Sequence, residues 1–209
     1  MRRLLQAACA CSVVIGTGHA EAHPHVWVTM KSEVIYAPDG SVSGLRHAWA
    51  FDAMFSAFAT QGIAGKQKGA FTREELRPLA ETQIGSLKEF DYFTFARIDG
   101  EKAQFSAPTD FWLEFKDGVL ELTFVLVLKD SKPKPQRLEI DIYDPTTFVD
   151  LVFGEGGPVT LRGASARCRG AFARQNENLQ ELPSSEPFFD GAPTEYGSRI
   201  LNKIRVRCP

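Results

Sequence analysis

The stretch that decides the fold covers residues 26–51 and reads VWVTMKSEVIYAPDGSVSGLRHAWAF. Apolar and polar side chains alternate from Val26 to Tyr36 and again from Val42 to Phe51, which is the period of a strand with one buried face. Between the two runs, Pro38-Asp39-Gly40-Ser41 combines residue types that favour turns. The stretch therefore predicts a β-hairpin.

The period of the pattern changes directly after this hairpin. Asp52 has the side chain of an N-cap, and apolar residues follow it at helical spacing. Thr72 and Glu75 have the spacing of a capping box and predict the start of a second helix. Pro78 lies within that helix and predicts a kink or a split. We therefore predict an inserted helix-loop-helix at about 52–90.

The chain beyond the insertion reads as short strands separated by turns. The Asp117-Gly118 dipeptide predicts a hairpin between strands at 111–115 and 119–128. Residues 174–196 are polar and rich in proline, which predicts a long surface loop. The fold class predicted is mainly β (α+β): an antiparallel β-sandwich with an inserted helix-loop-helix, forming a single domain over residues 23–209.

The first 22 residues have the three parts of a signal peptide. Arg2 and Arg3 form a basic start, an apolar run extends from Leu4 to Ile15, and Ala20-Glu21-Ala22 fits a cleavage site with small residues. The apolar run is too short to span a bilayer. We expect cleavage after Ala22, a periplasmic protein, and no membrane insertion of the mature chain.

Charge and cysteine content narrow the function classes further. The formal net charge is −2, without a basic stripe, so nucleic acid is not expected as a partner. Cys168 and Cys208 are the two cysteines of the mature chain. Because an exported protein meets an oxidising compartment, we predict that these two form a disulfide. The alternative, a thiolate metal site, requires reduced cysteines.

The N-terminus created by cleavage is the strongest candidate site. It begins His23-Pro24-His25, and residues two apart in an extended chain point to the same side. The α-amine of His23 adds a third nitrogen donor. Pro24 has no amide N–H, which excludes the square-planar amino-terminal copper and nickel site. What remains is a histidine brace, in which the α-amine and the imidazole of His23 chelate the metal and His25 or another imidazole completes the set. The alternative is that these histidines only solubilise the terminus.

Two residues of the predicted hairpin and helix extend this candidate site. The register of the hairpin would decide whether His47 lies near the N-terminus, and Asp52 heads the following helix. For both, an ordinary role stays open: a satisfied buried histidine and an N-cap. Asp144 and Asp150 flank a turn and offer further carboxylates, but acidic turn residues are common. The predicted metal ligands are His23, His25, His47 and Asp52.

Donors of this kind suit a divalent transition metal, and nickel, cobalt, zinc and copper all fit nitrogen and oxygen ligands without thiolate. Calcium is not expected. Residues 64–75 have the skeleton of an EF-hand loop, with Gly69 and Glu75 at the sixth and twelfth positions. However, Ala64, Lys66 and Lys68 replace its first three acidic ligands. The motifs G-x-S-x-G, H-E-x-x-H, the P-loop and C-x-x-C are absent from the sequence, so no enzyme is predicted from them.

Several short motifs occur in a fixed order along the chain: His23-Pro24-His25-Val26, Leu45-Arg46-His47, Trp49, Phe51-Asp52, Phe55-Ser56, Glu74-Glu75-Leu76, Tyr92-Phe93 and Tyr143-Asp144-Pro145-Thr146. Together they resemble the domain-of-unknown-function family 1007, and the resemblance covers essentially the whole mature chain. Such proteins are often labelled components of an uncharacterised ABC-type transport system and are frequently encoded near permeases of the nickel/cobalt exporter type. The resemblance therefore implies metal trafficking and an inner-membrane metal transporter or permease as partner.

The function predicted is that of a periplasmic transition-metal-binding protein in metal transport or homeostasis, with the metal held by the N-terminal His23-Pro24-His25. Two alternatives belong to other classes. One is a copper enzyme of the histidine-brace type, in which the N-terminal histidine activates oxygen. The other is a metal-free periplasmic adaptor of a membrane transporter.

Overall fold

A computed structural model describes residues 26–65, 70–174, 180–181 and 202–209. The predicted signal peptide, His23 and His25 lie outside the described residues, as does most of the loop predicted at 174–196. Within the described part of the chain, no helix has the length and apolar character needed to cross a membrane.

The elements follow the predicted order, with strands before and after one helical insertion. The insertion consists of α1 (Ala53–Ala59) and α2 (Arg73–Lys88). A 3₁₀ turn at Asp91–Phe93 leads from α2 back into strands. The strands are β1 (Val26–Tyr36), β2 (Val42–Phe51), β3 (Thr94–Ile98), β4 (Glu101–Ala103), β5 (Phe111–Lys116), β6 (Val119–Val127), β7 (Arg137–Ile142), β8 (Val149–Phe153), β9 (Val159–Arg162), β10 (Arg169–Ala173), β11 (Gln180–Glu181) and β12 (Asn202–Arg207).

The strands form two sheets, which confirms the predicted β-rich fold class. The first sheet has the order β5-β6-β2-β1-β8, and β9 also pairs with β1. The second has the order β11-β10-β12-β7-β3-β4. Pairing is antiparallel except where β1 meets β8 and β9, which run parallel to it. These parallel pairs are a departure from the purely antiparallel sandwich that was predicted.

The predicted hairpin is confirmed in detail. β1 and β2 pair antiparallel, and the side chains that alternate inward from them are buried. Leu45, His47 and Trp49 share the inner face of β2, as expected from the period of two. Trp49 stacks on Phe93 and meets the edge of Phe124. The hairpin thus supplies one wall of the core between the sheets.

The helical insertion covers the β5–β6 side of the first sheet. In α1, the buried Ser56 hydroxyl accepts the Leu120 amide at 2.9 Å and so ties the helix to the start of β6. Thr72 and Glu75 form the predicted capping box of α2. Pro78 lies inside α2, which is one continuous helix rather than the two pieces that a split would give.

The C-terminal strand β12 was not predicted, although it lies in the middle of the second sheet between β7 and β10. Ile204 and Val206 are buried, alternating with basic residues. Cys168 and Cys208 form the predicted disulfide. Since Arg169 pairs with Arg207, the bond joins two strands that are already neighbours at this end.

Candidate metal centre

The beginning of β1 follows directly in the sequence on the predicted ligands His23 and His25. Trp27 and Asp52 hold each other there: the Asp52 amide donates to the Trp27 carbonyl at 2.9 Å, and the Trp27 amide donates to Asp52 Oδ2 at 3.0 Å. Asp52 Oδ1 accepts the Phe55 amide at 2.8 Å and caps α1. The carboxylate thus serves as the predicted N-cap and also lies beside β1, two residues after His25.

His47 has a different environment, in the centre of the molecule. It is completely buried between the sheets, where Nδ1 is 2.9 Å from Ser32 Oγ and Nε2 is 3.2 Å from Thr94 Oγ1. The Thr94 hydroxyl donates its proton to the Tyr92 carbonyl, so its oxygen accepts from an Nε2–H of His47. Nδ1 is then the acceptor of the Ser32 hydroxyl in the neutral imidazole.

Burial also determines the charge of His47. Desolvation lowers the pKa of its imidazole to about 3, because no carboxylate in the described chain contacts the ring to favour the cation. In the described chain it contacts the hydroxyls of Ser32 and Thr94 and the rings of Trp49 and Phe124. His47 is therefore a neutral bridge between β1 in the first sheet and β3 in the second.

The structure does not bring His47 and Asp52 together. The two residues lie five positions apart on one extended segment, which corresponds to about 16 Å. His47 pairs with Ser32, whereas Asp52 lies beside Trp27. A ligand role for His47 stays a prediction, and it would require the ring to exchange one hydroxyl partner for the metal ion.

Within the described ranges, no three His, Cys, Asp or Glu side chains are close enough together to hold a metal ion. A metal centre at the start of β1 therefore depends on His23 and His25. Those two ligands lie outside the described residues, so the predicted set has one member, Asp52, at this end of the described fold.

The two turn carboxylates have separate roles. Asp144 is buried and accepts four hydrogen bonds from Thr146, Phe148 and Val149, which build the turn that leads into β8. Asp150 is half-buried on β8 and pairs with Trp27 in the parallel register. Sequence reasoning did not associate Asp150 with the N-terminus, because the pattern carries no signal for a parallel β1–β8 pair.

Exposed apolar side chains are present at the beginning of β1 and on α1. Trp27 is 46% exposed, and in α1 the exposed fractions of Met54 and Phe58 are 67% and 69%. Met54 and Phe58 thus do not belong to the buried side of α1, although they share the helical spacing of the apolar residues that follow Asp52. Phe55 and Ala59 pack against the core instead, because they lie on the side of the helix that carries Ser56.

The EF-hand-like loop is only partly described, since residues 66–69 lie outside the described residues. Glu75, its twelfth position, uses its carboxylate to accept the Thr72 amide at 2.8 Å and the Thr72 hydroxyl at 3.1 Å. In this structure, the side chain that would be the bidentate calcium ligand acts as part of the α2 capping box.

Comparison with known proteins places the chain in a family. The model of the family described as "Protein of unknown function (DUF1007)" matches residues 8–208. The chain belongs to this family. An uncharacterised 15.5 kDa protein from the trpE 3′ region of Spirochaeta aurantia is 33% identical over 94 residues, covering 45% of this chain and 67% of that protein. An uncharacterised protein of Haemophilus influenzae is 24% identical over 197 residues, or 90% and 91% of the two chains.

Proposed function

We propose that the protein is a periplasmic transition-metal-binding protein acting in metal transport or homeostasis, with His23 and His25 as the main ligands. The observation that carries the proposal is the position of the Asp52 carboxylate beside Trp27. An oxygen donor is therefore located where β1 begins, two residues after the His23-Pro24-His25 sequence. Imidazole and carboxylate together suit zinc, nickel, cobalt and copper(II).

Covalent geometry supports a site shared by His25 and Asp52. Two peptide units separate His25 from Trp27, so their Cα atoms are at most about 7 Å apart. The Asp52 amide bonds to the Trp27 carbonyl directly. Asp52 uses each carboxylate oxygen for one amide, and a carboxylate has about four lone-pair sites. One oxygen can thus accept a metal ion without loss of the cap.

The partner that fits this proposal is an inner-membrane metal transporter or permease. The beginning of β1 is the end of a strand that lies between β2 and β8 in the first sheet, and Trp27 there is exposed to solvent. Loading and release of an ion at this end of the strand do not require the core between the sheets to open. The periplasmic location rests on the signal peptide predicted from residues 1–22.

The first experiment is calorimetry on the mature protein, starting at His23, with zinc, nickel and copper(II) in separate titrations. We expect His23→Ala and His25→Ala each to lower the affinity at least tenfold. His47→Gln tests the remaining histidine, and a comparable loss there would add His47 to the ligand set. Binding by both histidine variants at wild-type affinity would contradict the proposal.

A second experiment separates the two forms of the site. One alanine inserted before His23 disables a brace that uses the α-amine of His23, but leaves two imidazoles in place. We also expect binding to weaken as the pH falls through about 6.5, since the ligating imidazoles must be neutral. Edman sequencing of the periplasmic protein must show His23 first; a start upstream would remove the amine from the site.

A metal-free adaptor is the second candidate function, and the exposed apolar side chains of β1 and α1 favour it. Trp27, Met54 and Phe58 are large and exposed, and such residues are enriched where proteins bind partners. If the mature protein binds none of the three metals, the adaptor is the better explanation. Trp27→Ser would then be the variant to test for loss of transport in cells.

A further inference from the structure

The outer face of the second sheet, which points away from the core, collects basic side chains. Along β3, β7 and β12 the buried residues alternate with residues of this face, and strand register assigns the residues of β4 and β10 to the same two sides. We call this outer side the basic face. On these five strands it carries seven basic and two acidic side chains: Arg97, Lys102, Arg137, Arg169, Lys203, Arg205 and Arg207, against Glu139 and Asp141.

Strand register arranges these side chains in rows. Arg169, Arg207 and Arg137 are consecutive register partners on β10, β12 and β7. In the next row, Arg97 of β3 pairs with Lys102 of β4. Neighbouring strands are about 4.8 Å apart, and like charges directly opposite each other destabilise a sheet. The arrangement does not help the sheet to form, which favours a role in binding an anion.

The two acidic side chains neutralise the middle of the basic face. Glu139 pairs with Arg137 at 2.7 Å and with Arg205 at 3.3 Å. Asp141 pairs with Arg205 at 3.1 Å. These pairs compensate part of the charge, and the basic face keeps an excess of positive charge although the whole chain has a formal net charge of −2.

The β3–β4 side of the basic face is not compensated within the described chain. The side chains of Arg97 and Lys102 are exposed and form no ion pair with any described residue. Asp99, in the turn between these two strands, directs Oδ1 to the backbone amides of Gln136 and Arg137. The charges of Arg97 and Lys102 are therefore available to an external anion.

The side chains of the basic face fit a surface of phosphate groups. Five of its seven basic residues are arginines, whose planar guanidinium groups match phosphate oxygens in pairs. A protein interface usually has an apolar core. The large exposed apolar side chains of the described chain lie on other elements, and Phe95 on this face is half-buried against Tyr143. These features favour anionic lipid headgroups over an acidic protein as the occupant.

We propose that the basic face docks on anionic phospholipid headgroups and holds the protein at a membrane surface without insertion. A basic residue close to such a surface raises the binding constant about fivefold. The attraction reaches about one Debye length, so the attachment is reversible by salt. It requires no metal, and it would place the protein at the membrane of the transporter that the proposed function names as partner.

The test is co-sedimentation of the mature protein with vesicles, in EDTA so that no metal contributes. One set contains phosphatidylcholine and phosphatidylglycerol in equal parts, and the other contains phosphatidylcholine alone. We compare the wild type with the double variant Arg97→Gln, Lys102→Gln. The matched control is Lys31→Gln, Lys116→Gln, which removes the same charge from exposed positions on β1 and β5 of the first sheet.

We expect the wild type to bind the phosphatidylglycerol vesicles at about 0.1 M salt and to leave them at about 1 M, where the Debye length is about 3 Å. The Arg97 and Lys102 double variant should bind at least about tenfold more weakly, and the control should change less than about twofold. Thermal unfolding should be the same for all three proteins, since the substituted side chains are exposed.

Three results would overturn the inference. The wild type could fail to bind the phosphatidylglycerol vesicles, which would leave an acidic protein as the better occupant. It could bind both kinds of vesicle equally, so that charge is not what holds it. The two double variants could also lose affinity equally, which would assign the effect to net charge rather than to this face. Because EDTA is present throughout, each result is independent of the metal site in the proposed function.

Discussion

The two ends of β1 differ in how far their side chains are buried. At the far end, Tyr36 is buried, its pKa is raised to about 12 by desolvation, and its hydroxyl is 4.0 Å from the Cys208 sulfur of the disulfide. At the beginning, Trp27 is 46% exposed and lies between Asp52 and Asp150.

The middle of β1 is buried like the end at Tyr36, which we call the closed end. Ser32 hydrogen-bonds to His47, which in turn reaches Thr94 in the other sheet. The strand is thus secured at its middle and far end by buried contacts, while its beginning presents polar and apolar side chains to solvent. A binding site at the beginning can change its ligands without disturbing the packing that stabilises the sheets.

The largest effect on stability is expected in the middle of the hairpin. His47→Ala creates a cavity and leaves the buried Ser32 and Thr94 hydroxyls without their partner, so we expect a loss of about 3–5 kcal/mol. Trp27→Ala removes a larger side chain at the exposed start and should cost less than about 1 kcal/mol. Urea unfolding of both variants measures the difference; equal losses would contradict the contrast between middle and beginning.

The closed end is tested through its disulfide. Replacing Cys168 and Cys208 by alanine together should lower the free energy of unfolding by roughly 3–4 kcal/mol in the chain-entropy model, for a sequence separation of 40 residues. The affinity for zinc should stay unchanged, because the bond is at the other end of β1 from the proposed site. Thiol titration of the unfolded, unreduced wild type should find no free thiol.

Acid should lower the free energy of unfolding because His47 lies buried in the middle of the molecule. Its pKa is lowered from 6.5 to about 3 on folding, so the folded state resists protonation. The stabilisation is complete above about pH 6.5 and is lost as the pH falls toward 3. Between pH 7 and 5 this amounts to about 2 kcal/mol. His47→Gln cannot titrate, and its unfolding free energy should fall less over this range; parallel curves for the two proteins would refute the assignment.

The smallest effects are expected among the carboxylates at the beginning of β1. Asp52→Ala removes the N-cap of α1 and the acceptor for Trp27, which should cost about 1 kcal/mol. Asp52→Asn keeps one oxygen for the Phe55 amide but puts an NH2 donor where Oδ2 accepted the Trp27 amide, so it should recover only part of that loss. Asp150→Asn should leave stability within about 0.5 kcal/mol. A clear destabilisation by Asp150→Asn would show that this side chain is structural, and chemical denaturation of the metal-free proteins is the measurement.

Local patterns predicted a large part of this fold. The bounds of the first hairpin, the Asp52 cap, the capping box of α2 and the Asp117-Gly118 hairpin all depend on residues within a few positions of each other. The disulfide was predictable for another reason: after removal of the leader, Cys168 and Cys208 leave only one pairing within the chain. Family membership was recognisable from the order of such motifs along the chain.

Other features depended on which distant segments meet. The hydroxyl partners of His47 come from residues 15 and 47 positions away, and the parallel pair that brings Asp150 to Trp27 joins residues 123 positions apart along the chain. The alternation of Ile204 and Val206 is a usable strand signal, but it does not say that β12 is central. Strand pairing over such separations depends on the packing of whole sheets, because every strand shows the same period of two whichever neighbour it has. The buried side of α1 likewise depends on a distant contact. The Ser56 hydroxyl accepts the Leu120 amide at the start of β6, and Met54 and Phe58 face solvent.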